Sequence, residues 1–165
     1  MVGRHARLNL LDLSKHSSKL PVRMIPIQKQ SVIRIVAALI QDNVGRVLLV
    51  RKRGTLKFMQ PGGKVHDGES PLAALERELR EELMCAVPGS ALVFLGTFTA
   101  PAANEEGSFV EAALYRVELV GPIAAASEID EILWLDPVSP HAAELAPLTR
   151  DSVLPLALNF IRAGD

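Results

Sequence analysis

Three glutamates near the middle of the chain have the spacing of a shared helix face. Glu78, Glu81 and Glu82 lie at positions i, i+3 and i+4, and side chains with that spacing project from one side of a helix. Arg77 lies i, i+4 from Glu81, near enough to offset part of the repulsion between the carboxylates. A divalent cation would offset it far better, and magnesium is commonly held by a few carboxylates together with substrate phosphates. The pattern therefore indicates a metal site for phosphate chemistry.

Two glycines and a lysine precede these glutamates. Gly62 and Gly63 lack a Cβ atom, so their backbone can approach a ligand or a metal closely. Lys64 follows directly and could reach a phosphate. Metal ions bridging a diphosphate would neutralise its charge and make a nucleophile of bound water at neutral pH, while a glutamate accepts the proton. Considered alone, however, residues 75–83 are also typical of an ordinary amphipathic helix with a solvated charged face.

The whole segment resembles the signature of the Nudix family. That signature is Gly, five residues, Glu, seven residues, Arg-Glu, an aliphatic residue, any residue, Glu-Glu, any residue, Gly and an aliphatic residue. The matching residues are Gly63, Glu69, Arg77, Glu78, Leu79, Glu81 and Glu82. Met84 stands where the family has its last glycine, which normally ends the helix in a left-handed conformation. Because methionine adopts that conformation only with strain, we expect the helix to continue to about Ala86.

The resemblance implies a fold, a cofactor and a set of site residues. The implied fold is α/β, a Nudix-like α/β/α sandwich with a mixed β-sheet between helices. Glu78, Glu81 and Glu82 match the family's metal ligands, and Gly63 matches the position whose backbone oxygen often joins them. Arg77 matches the arginine that orients the glutamates, so Arg77 and the three glutamates are the candidate catalytic residues. The implied cofactor is Mg²⁺, with Mn²⁺ as a substitute, and many relatives resemble dimers, so a homodimer is expected.

The resemblance also implies hydrolysis of the diphosphate linkage of a nucleoside diphosphate derivative, a small-molecule partner. The compact size and residues 59–65 are similar to the branch that cleaves nucleoside triphosphates. We therefore expect a (d)NTP or a damaged nucleotide, cleaved to a nucleoside monophosphate and pyrophosphate. ADP-ribose is the alternative, because Pro101 lies sixteen residues beyond Cys85, as in the ADP-ribose branch. A non-catalytic, nucleotide-sensing domain is a further alternative, which the presence of all three glutamates disfavours.

Charged residues outside the signature are weaker candidates. Lys52 and Arg53 could contact substrate phosphates, although they would be equally ordinary as solvated charges at the end of a strand. Glu105 and Glu106 lie in a loop of the kind that supplies a general base in some members of the family, and Glu128 is a similar candidate. Loop acids are usually just solvated. The candidate substrate-binding residues are Lys64, Arg53, Lys52 and Glu105.

The elements that must position these residues are strands, a helix, more strands and a closing helix. Ser70 and Pro71 indicate a helix start, as a side-chain cap followed by proline at the first helical position. Alternating and β-branched patterns predict strands at 32–40, 47–50, 91–99, 110–120 and 129–135, and apolar content predicts a closing helix at 153–162. We expect the first two strands to form a hairpin, residues 61–63 to lie in a loop, and helices to cover both faces of the sheet.

Composition limits the remaining possibilities. The chain has 165 residues, which fits one domain. Its net charge of −1 argues against binding a nucleic-acid polymer or an anionic membrane. The single cysteine, Cys85, suits a reducing compartment, so we expect a cytoplasmic protein. Residues 1–23 are predicted to be a basic, loosely ordered N-terminal extension, and residues 24–165 a Nudix hydrolase domain.

Overall fold

The described residues fold into seven strands and two helices. The computed structural model describes residues 31–86, 92–139 and 142–163, so the predicted extension at 1–23 lies outside the described residues. In chain order the elements are β1 (Val32–Leu39), β2 (Val47–Lys52), β3 (Phe58–Met59), β4 (Gly62–Lys64), α1 (Pro71–Leu83), β5 (Leu92–Pro101), β6 (Phe109–Val117), β7 (Ile129–Leu135) and α2 (Leu154–Ala163). A π-helical turn, Thr149–Val153, leads into α2. In this part of the chain no helix is long and apolar enough to cross a membrane.

The strands are divided between two sheets. The larger sheet has the order β4-β1-β6-β5, and it is mixed because β1 and β6 run parallel while the other neighbours are antiparallel. The smaller sheet has the order β3-β2-β7 and is antiparallel. The predicted α/β class with a mixed sheet is therefore confirmed. The predicted hairpin of the first two strands is wrong beyond its turn, since only Gln41 and Val47 pair there and β1 and β2 enter different sheets.

The burial of β1 and β2 explains this division. Four consecutive residues of each strand, 36–39 and 47–50, are buried, so both faces of each strand pack against protein. On one face Val36, Ala38, Leu48 and Val50 share a core with α1, and on the other Ala37, Leu39, Val47 and Leu49 share a core with α2. Each strand therefore occupies the centre of its own sheet between two partners. The helices cover opposite faces, as the α/β/α prediction requires.

The predicted loop at residues 61–63 is also a correction, because Gly62 and Gly63 belong to β4 and pair with β1. Gly62 has φ +137°, and a Cβ atom there would lie 2.2 Å from the carbonyl oxygen of Val36. Only glycine tolerates both the torsion angle and the approach. The two glycines suggested a loop in the sequence. In the structure their lack of a Cβ atom instead allows β4 to approach β1 unusually closely.

Helix α1 begins as predicted and ends earlier than predicted. The Ser70 hydroxyl oxygen accepts a hydrogen bond from the Ala73 N–H at 3.2 Å, and Pro71 is the first helical residue. The helix stops at Leu83 because Met84 adopts the left-handed conformation, with φ 56° and ψ 25°. The expected continuation to Ala86 is therefore wrong. Turning the chain at Met84 leaves its side chain 68% exposed and directs Cys85 into the core beside α1.

Replacement of Met84 by glycine should stabilise the protein. Glycine adopts φ 56° without the clash of Cβ that strains other residues, and little packing is lost because the methionine is exposed. We expect Met84→Gly to raise the free energy of unfolding in urea by about 0.5–1 kcal/mol. Met84→Ala is the control, since it removes the same side chain and keeps the strain. A glycine variant no more stable than the alanine variant would contradict this reading of the helix end.

Candidate active site

The acidic face of α1 opens onto a cavity of about 210 Å³. All three candidate glutamates line it, but they differ in exposure: Glu82 is 1% exposed, Glu78 is 9% exposed and the Glu81 side chain is 53% exposed. The other lining residues are His66, Arg77, Ser127 and Glu128. The predicted carboxylate cluster therefore exists as a graded set, two groups turned inward and one at the rim.

Glu82 is a buried carboxylate with one oxygen in use. Its Oε2 accepts a hydrogen bond from the Gly62 N–H at 2.8 Å. Its Oε1 lies 3.3 Å from Lys52 Nζ and has no hydrogen-bond partner among the described residues. Burial raises the pKa of Glu82 to about 7, against the opposing effects of the Lys52 charge and the Gly62 hydrogen bond. A carboxyl with a pKa near neutral pH can accept a proton or bind a metal ion, so Glu82 remains a candidate for either role.

Arg77 links helix α1 to strand β4 and to Glu69. Its Nε and Nη2 donate to the two oxygens of Glu69 at 2.9 Å each, and its Nη1 donates to Glu78 Oε1 at 2.8 Å. Nη2 also donates to the Lys64 carbonyl oxygen at 3.1 Å. A planar guanidinium is suited to such a fork of contacts. Arg77 thus contacts Glu78 directly, and its role in orienting that carboxylate stays a prediction.

The Glu69 carboxylate should contribute to stability in a pH-dependent way. Hydrogen bonds from Arg77 and from the His66 N–H lower its pKa from 4.5 to about 2. A lowered carboxyl pKa gives stability that is complete above the unfolded value and is lost as the pH falls through the folded value. We therefore expect wild type to exceed Glu69→Gln in urea midpoint at neutral pH, with the gap closing steadily below about pH 4.5. A gap that stays constant down to about pH 3 would contradict this role.

Lys52 lies between two carboxylates at the end of β2. Its Nζ forms ion pairs with Glu82 and Glu128. Burial pulls the pKa of Lys52 down, but the Glu128 hydrogen bond and the two negative charges outweigh it and raise the pKa above its usual value. Lys52 therefore remains a cation and supplies counter-charge to the buried Glu82 and to the more exposed Glu128.

A larger cleft of about 430 Å³ adjoins these carboxylates. Lys52, Lys64 and Glu105, three of the four predicted substrate-binding residues, line it together with Gly63, Glu78 and Glu128. Lys64 pairs with Glu105 at 2.9 Å, and both side chains are largely exposed. Arg53 does not line this cleft; its guanidinium reaches the Ser127 carbonyl oxygen at 3.4 Å. The structure thus separates Arg53 from the other three.

The prediction of site residues did not include two side chains beside this cleft. Glu128 was only a weaker candidate, yet it lines both the acidic cavity and the cleft. Gln60 was not considered, although it is 5% exposed and its Nε2 has no hydrogen-bond partner among the described residues. The one available signal for Gln60 was an amide directly before Pro61 and the glycine pair.

The donor set suits a hard divalent cation that is also bound by substrate or water. Within the described residues, no three potential ligand side chains converge as a ready-made cage. The donors are all oxygens, as Mg²⁺ prefers. Among the same residues Glu82 Oε1 has no hydrogen-bond partner, although Lys52 Nζ lies 3.3 Å away. A Cβ atom on Gly63 would lie 2.3 Å from Glu78 Oε1, so only glycine leaves room for that carboxylate. These residues fit a metal site completed by phosphate oxygens.

Two sheets, one of them mixed, lie between two helices, and the acidic face of α1 lies beside the glycines of β4. These features define an α/β protein with an acidic site at the edge of a helix. A family profile described as the NUDIX domain matches residues 32–156. The chain belongs to the Nudix family. At that level the predicted enzyme class, a hydrolase acting on phosphorus-containing anhydrides, is also confirmed.

Individual proteins that this chain resembles in sequence or in structure support the family assignment. The 8-oxo-dGTP diphosphatase of Haemophilus influenzae is 38% identical over 58 residues, 33% of this chain and 43% of that enzyme, so less than half of that relative's length is matched. The crystal structure of the MutT protein from Methanosarcina mazei has a TM-score of 0.64 at 23% identity, covering 81% of this chain and 98% of that one. The solution structure of the E. coli ORF135 protein has a TM-score of 0.59 at 26% identity, covering 84% and 95%.

Proposed function

We propose that this protein is a magnesium-dependent pyrophosphohydrolase that cleaves a (d)NTP or a damaged nucleotide to a nucleoside monophosphate and pyrophosphate. The observation that carries the proposal is that the acidic cavity and the cleft adjoin each other and share Glu78. The cavity is lined by Glu78, Glu81 and Glu82, and the cleft by Glu78 and the cationic Lys52 and Lys64. The similarity to an 8-oxo-dGTP diphosphatase supports this substrate class.

Each site residue has a proposed role. Glu78, Glu81, Glu82 and the backbone oxygen of Gly63 would hold Mg²⁺, or Mn²⁺ in its place. The cation would supply charge neutralisation of the diphosphate and a nucleophilic water at neutral pH. Lys52 would exchange its carboxylate partners for substrate phosphates when the glutamates bind the cation, and Lys64 would bind phosphate at the rim.

Glu128 is a better candidate for the general base than Glu105. Glu128 borders both the acidic cavity and the cleft, so it can reach a water beside the metal-binding glutamates and the substrate. Glu105 lines only the cleft and is paired there with Lys64. Proton transfer requires hydrogen-bond reach to the attacking water, which favours the residue nearer to α1.

Two other functions remain as alternatives. ADP-ribose hydrolysis is supported by Pro101, which ends β5 and lines an apolar recess beside the cleft. A non-catalytic, nucleotide-sensing domain is disfavoured because all three glutamates are present. A homodimer and a cytoplasmic location stay predictions.

A panel assay distinguishes these functions. The purified protein is incubated with undamaged and oxidised nucleoside triphosphates, ADP-ribose and dinucleotides, with and without Mg²⁺, and products are resolved by chromatography. We expect Mg²⁺-dependent release of a nucleoside monophosphate and pyrophosphate from a triphosphate. Turnover of ADP-ribose alone would select the first alternative. No turnover of any compound by folded protein would contradict the proposed activity.

We also propose that residues 1–23 are dispensable for catalysis. The family match begins at residue 32, and the candidate site residues all lie between Lys52 and Glu128. A truncated chain starting at Met24 should therefore keep kcat and KM of the full chain within about twofold, a difference equivalent to less than about 0.5 kcal/mol. A truncated protein that folds but loses turnover would refute this division of the chain.

A further inference from the structure

A small apolar recess extends inward from the cleft. Its volume is about 80 Å³, and it shares Ile35, Met59, Gly62 and Val110 with the cleft. Its lining is almost entirely apolar, and Gln60 is its one polar side chain. The recess has room for the edge of a planar ring and no charge to hold a phosphate. It is therefore the apolar end of a site whose other end is charged.

Gln60 presents an unused amide group at this recess. Thr149 lies 3.2 Å from Gln60 Oε1 and 3.5 Å from the Phe58 carbonyl oxygen, measured from its Oγ1. A hydroxyl has one proton to donate, and the shorter distance assigns it to Gln60 Oε1. This orients the amide and leaves Nε2 without a partner among the described residues. A buried donor without a partner is rare and is expected to have a function.

The backbone around Gln60 is built to hold this orientation. Thr149 is completely buried and begins the π-helical turn before α2, a feature that often occurs at functional sites. Phe58, two residues before Gln60, exchanges backbone hydrogen bonds with Glu144 and Ala146 at 2.8 and 2.9 Å. The chain on either side of this contact is thus held in place, and the Thr149 hydroxyl is the group that orients the Gln60 amide.

We propose that the recess takes the edge of the substrate's nucleobase and that Gln60 Nε2 donates to a carbonyl oxygen there. This selects bases with a keto group at the edge far from the sugar, the O6 of guanine-type purines or the O4 of uracil and thymine. Adenine and cytosine carry an amino donor at that edge, which would face the Gln60 donor without an acceptor between them. The inference rests on the proposed function, because it places the phosphates at the charged end of the cleft.

Pairs of nucleotides that differ only in this group test the proposal. The pairs are dGMP with the monophosphate of 2,6-diaminopurine deoxyriboside, and dUMP with dCMP. Their binding to the full chain is measured by calorimetry without metal, and hydrolysis of the matching triphosphates is measured with Mg²⁺. We expect wild type to bind the keto member of at least one pair about tenfold more tightly. Gln60→Met, which keeps the shape and removes the donor, should reduce this ratio to about one.

Two further variants keep the test clear. Thr149→Val releases Gln60 Oε1 and should lower the keto preference without touching the amide itself. Gln41→Met is the matched control, because Gln41 is another partly buried amide with its own hydrogen bonds to Gly45 and Ala157 in a separate cavity. It should leave the ratio unchanged.

The possible failures can be told apart. A keto preference that Gln60→Met removes, together with no hydrolysis, would overturn the proposed function and leave the recess assignment standing. Equal binding within both pairs, preference for the amino member, no binding of any monophosphate, or a ratio unchanged in Gln60→Met would overturn the assignment, whatever the rate of hydrolysis.

Discussion

Glu82→Gln should abolish metal-dependent turnover while the protein stays folded. The amide keeps the shape of the carboxylate and can still accept the 2.8 Å hydrogen bond from the Gly62 N–H, but it removes the negative charge. We expect kcat/KM to fall at least about a thousandfold, equivalent to about 4 kcal/mol of transition-state stabilisation. The unfolding midpoint at pH 7 should not fall, because a carboxyl whose pKa is raised by burial to about 7 destabilises the fold above its unfolded pKa, and the neutral amide removes that cost.

Two further substitutions on α1 complete this test. Glu81→Gln should also abolish turnover, although that side chain is half exposed and its loss should alter stability by no more than about 0.5 kcal/mol. Glu76→Gln removes a carboxylate from the same helix outside both cavities and should behave as wild type. Near-normal turnover in both site variants would remove the basis for assigning these glutamates to the metal.

Alanine substitutions at the two adjacent glycines should separate an effect on activity from an effect on stability. A Cβ atom on Gly63 would meet the end of the Glu78 side chain at 2.3 Å, and that side chain can swing away. We expect Gly63→Ala to cost less than about 1 kcal/mol in stability and at least about a hundredfold in kcat, because Glu78 is displaced from its position over the glycine.

Gly62→Ala is the contrasting variant. Its new Cβ atom would meet the Val36 carbonyl oxygen at 2.2 Å, and the φ of +137° is unfavourable for alanine. Backbone atoms cannot swing away, so we expect a loss of at least about 2 kcal/mol in the free energy of unfolding. Urea unfolding and steady-state kinetics on both variants check the pair. A Gly63→Ala protein with full activity would show that Glu78 does not need its present position.

The sequence was sufficient for the elements that follow local rules. Ser70 and Pro71 marked the start of α1 because capping depends on neighbouring residues alone. The candidate site residues were predicted from the whole signature, because the spacing along one helix is also that of an ordinary amphipathic helix. The end of α1 was mispredicted at Met84, where burial of Cys85 outweighs local strain.

Features that depend on distant packing could not be read in the same way. A turn signal at Asn43 and Gly45 predicted that β1 and β2 pair. Each strand instead has one partner from a segment far along the chain, β6 for β1 and β7 for β2. The importance of Gln60 was likewise hidden, since Thr149, its partner, lies 89 residues away. Local sequence patterns do not predict contacts between residues that are far apart in the chain.

The two cores on opposite faces of β1 and β2 limit which amino-acid substitutions this protein can accept during evolution. The strands and helices that form the cores also fix Glu78, Glu82 and Gly63, so substitutions there alter folding and chemistry together. The outer wall of the cleft, by contrast, comes from exposed loop residues such as Asn104 and Glu105. Selection could therefore redraw the outer wall and so the accepted substrate while the reaction itself stays intact, which makes this architecture a durable starting point for new specificities.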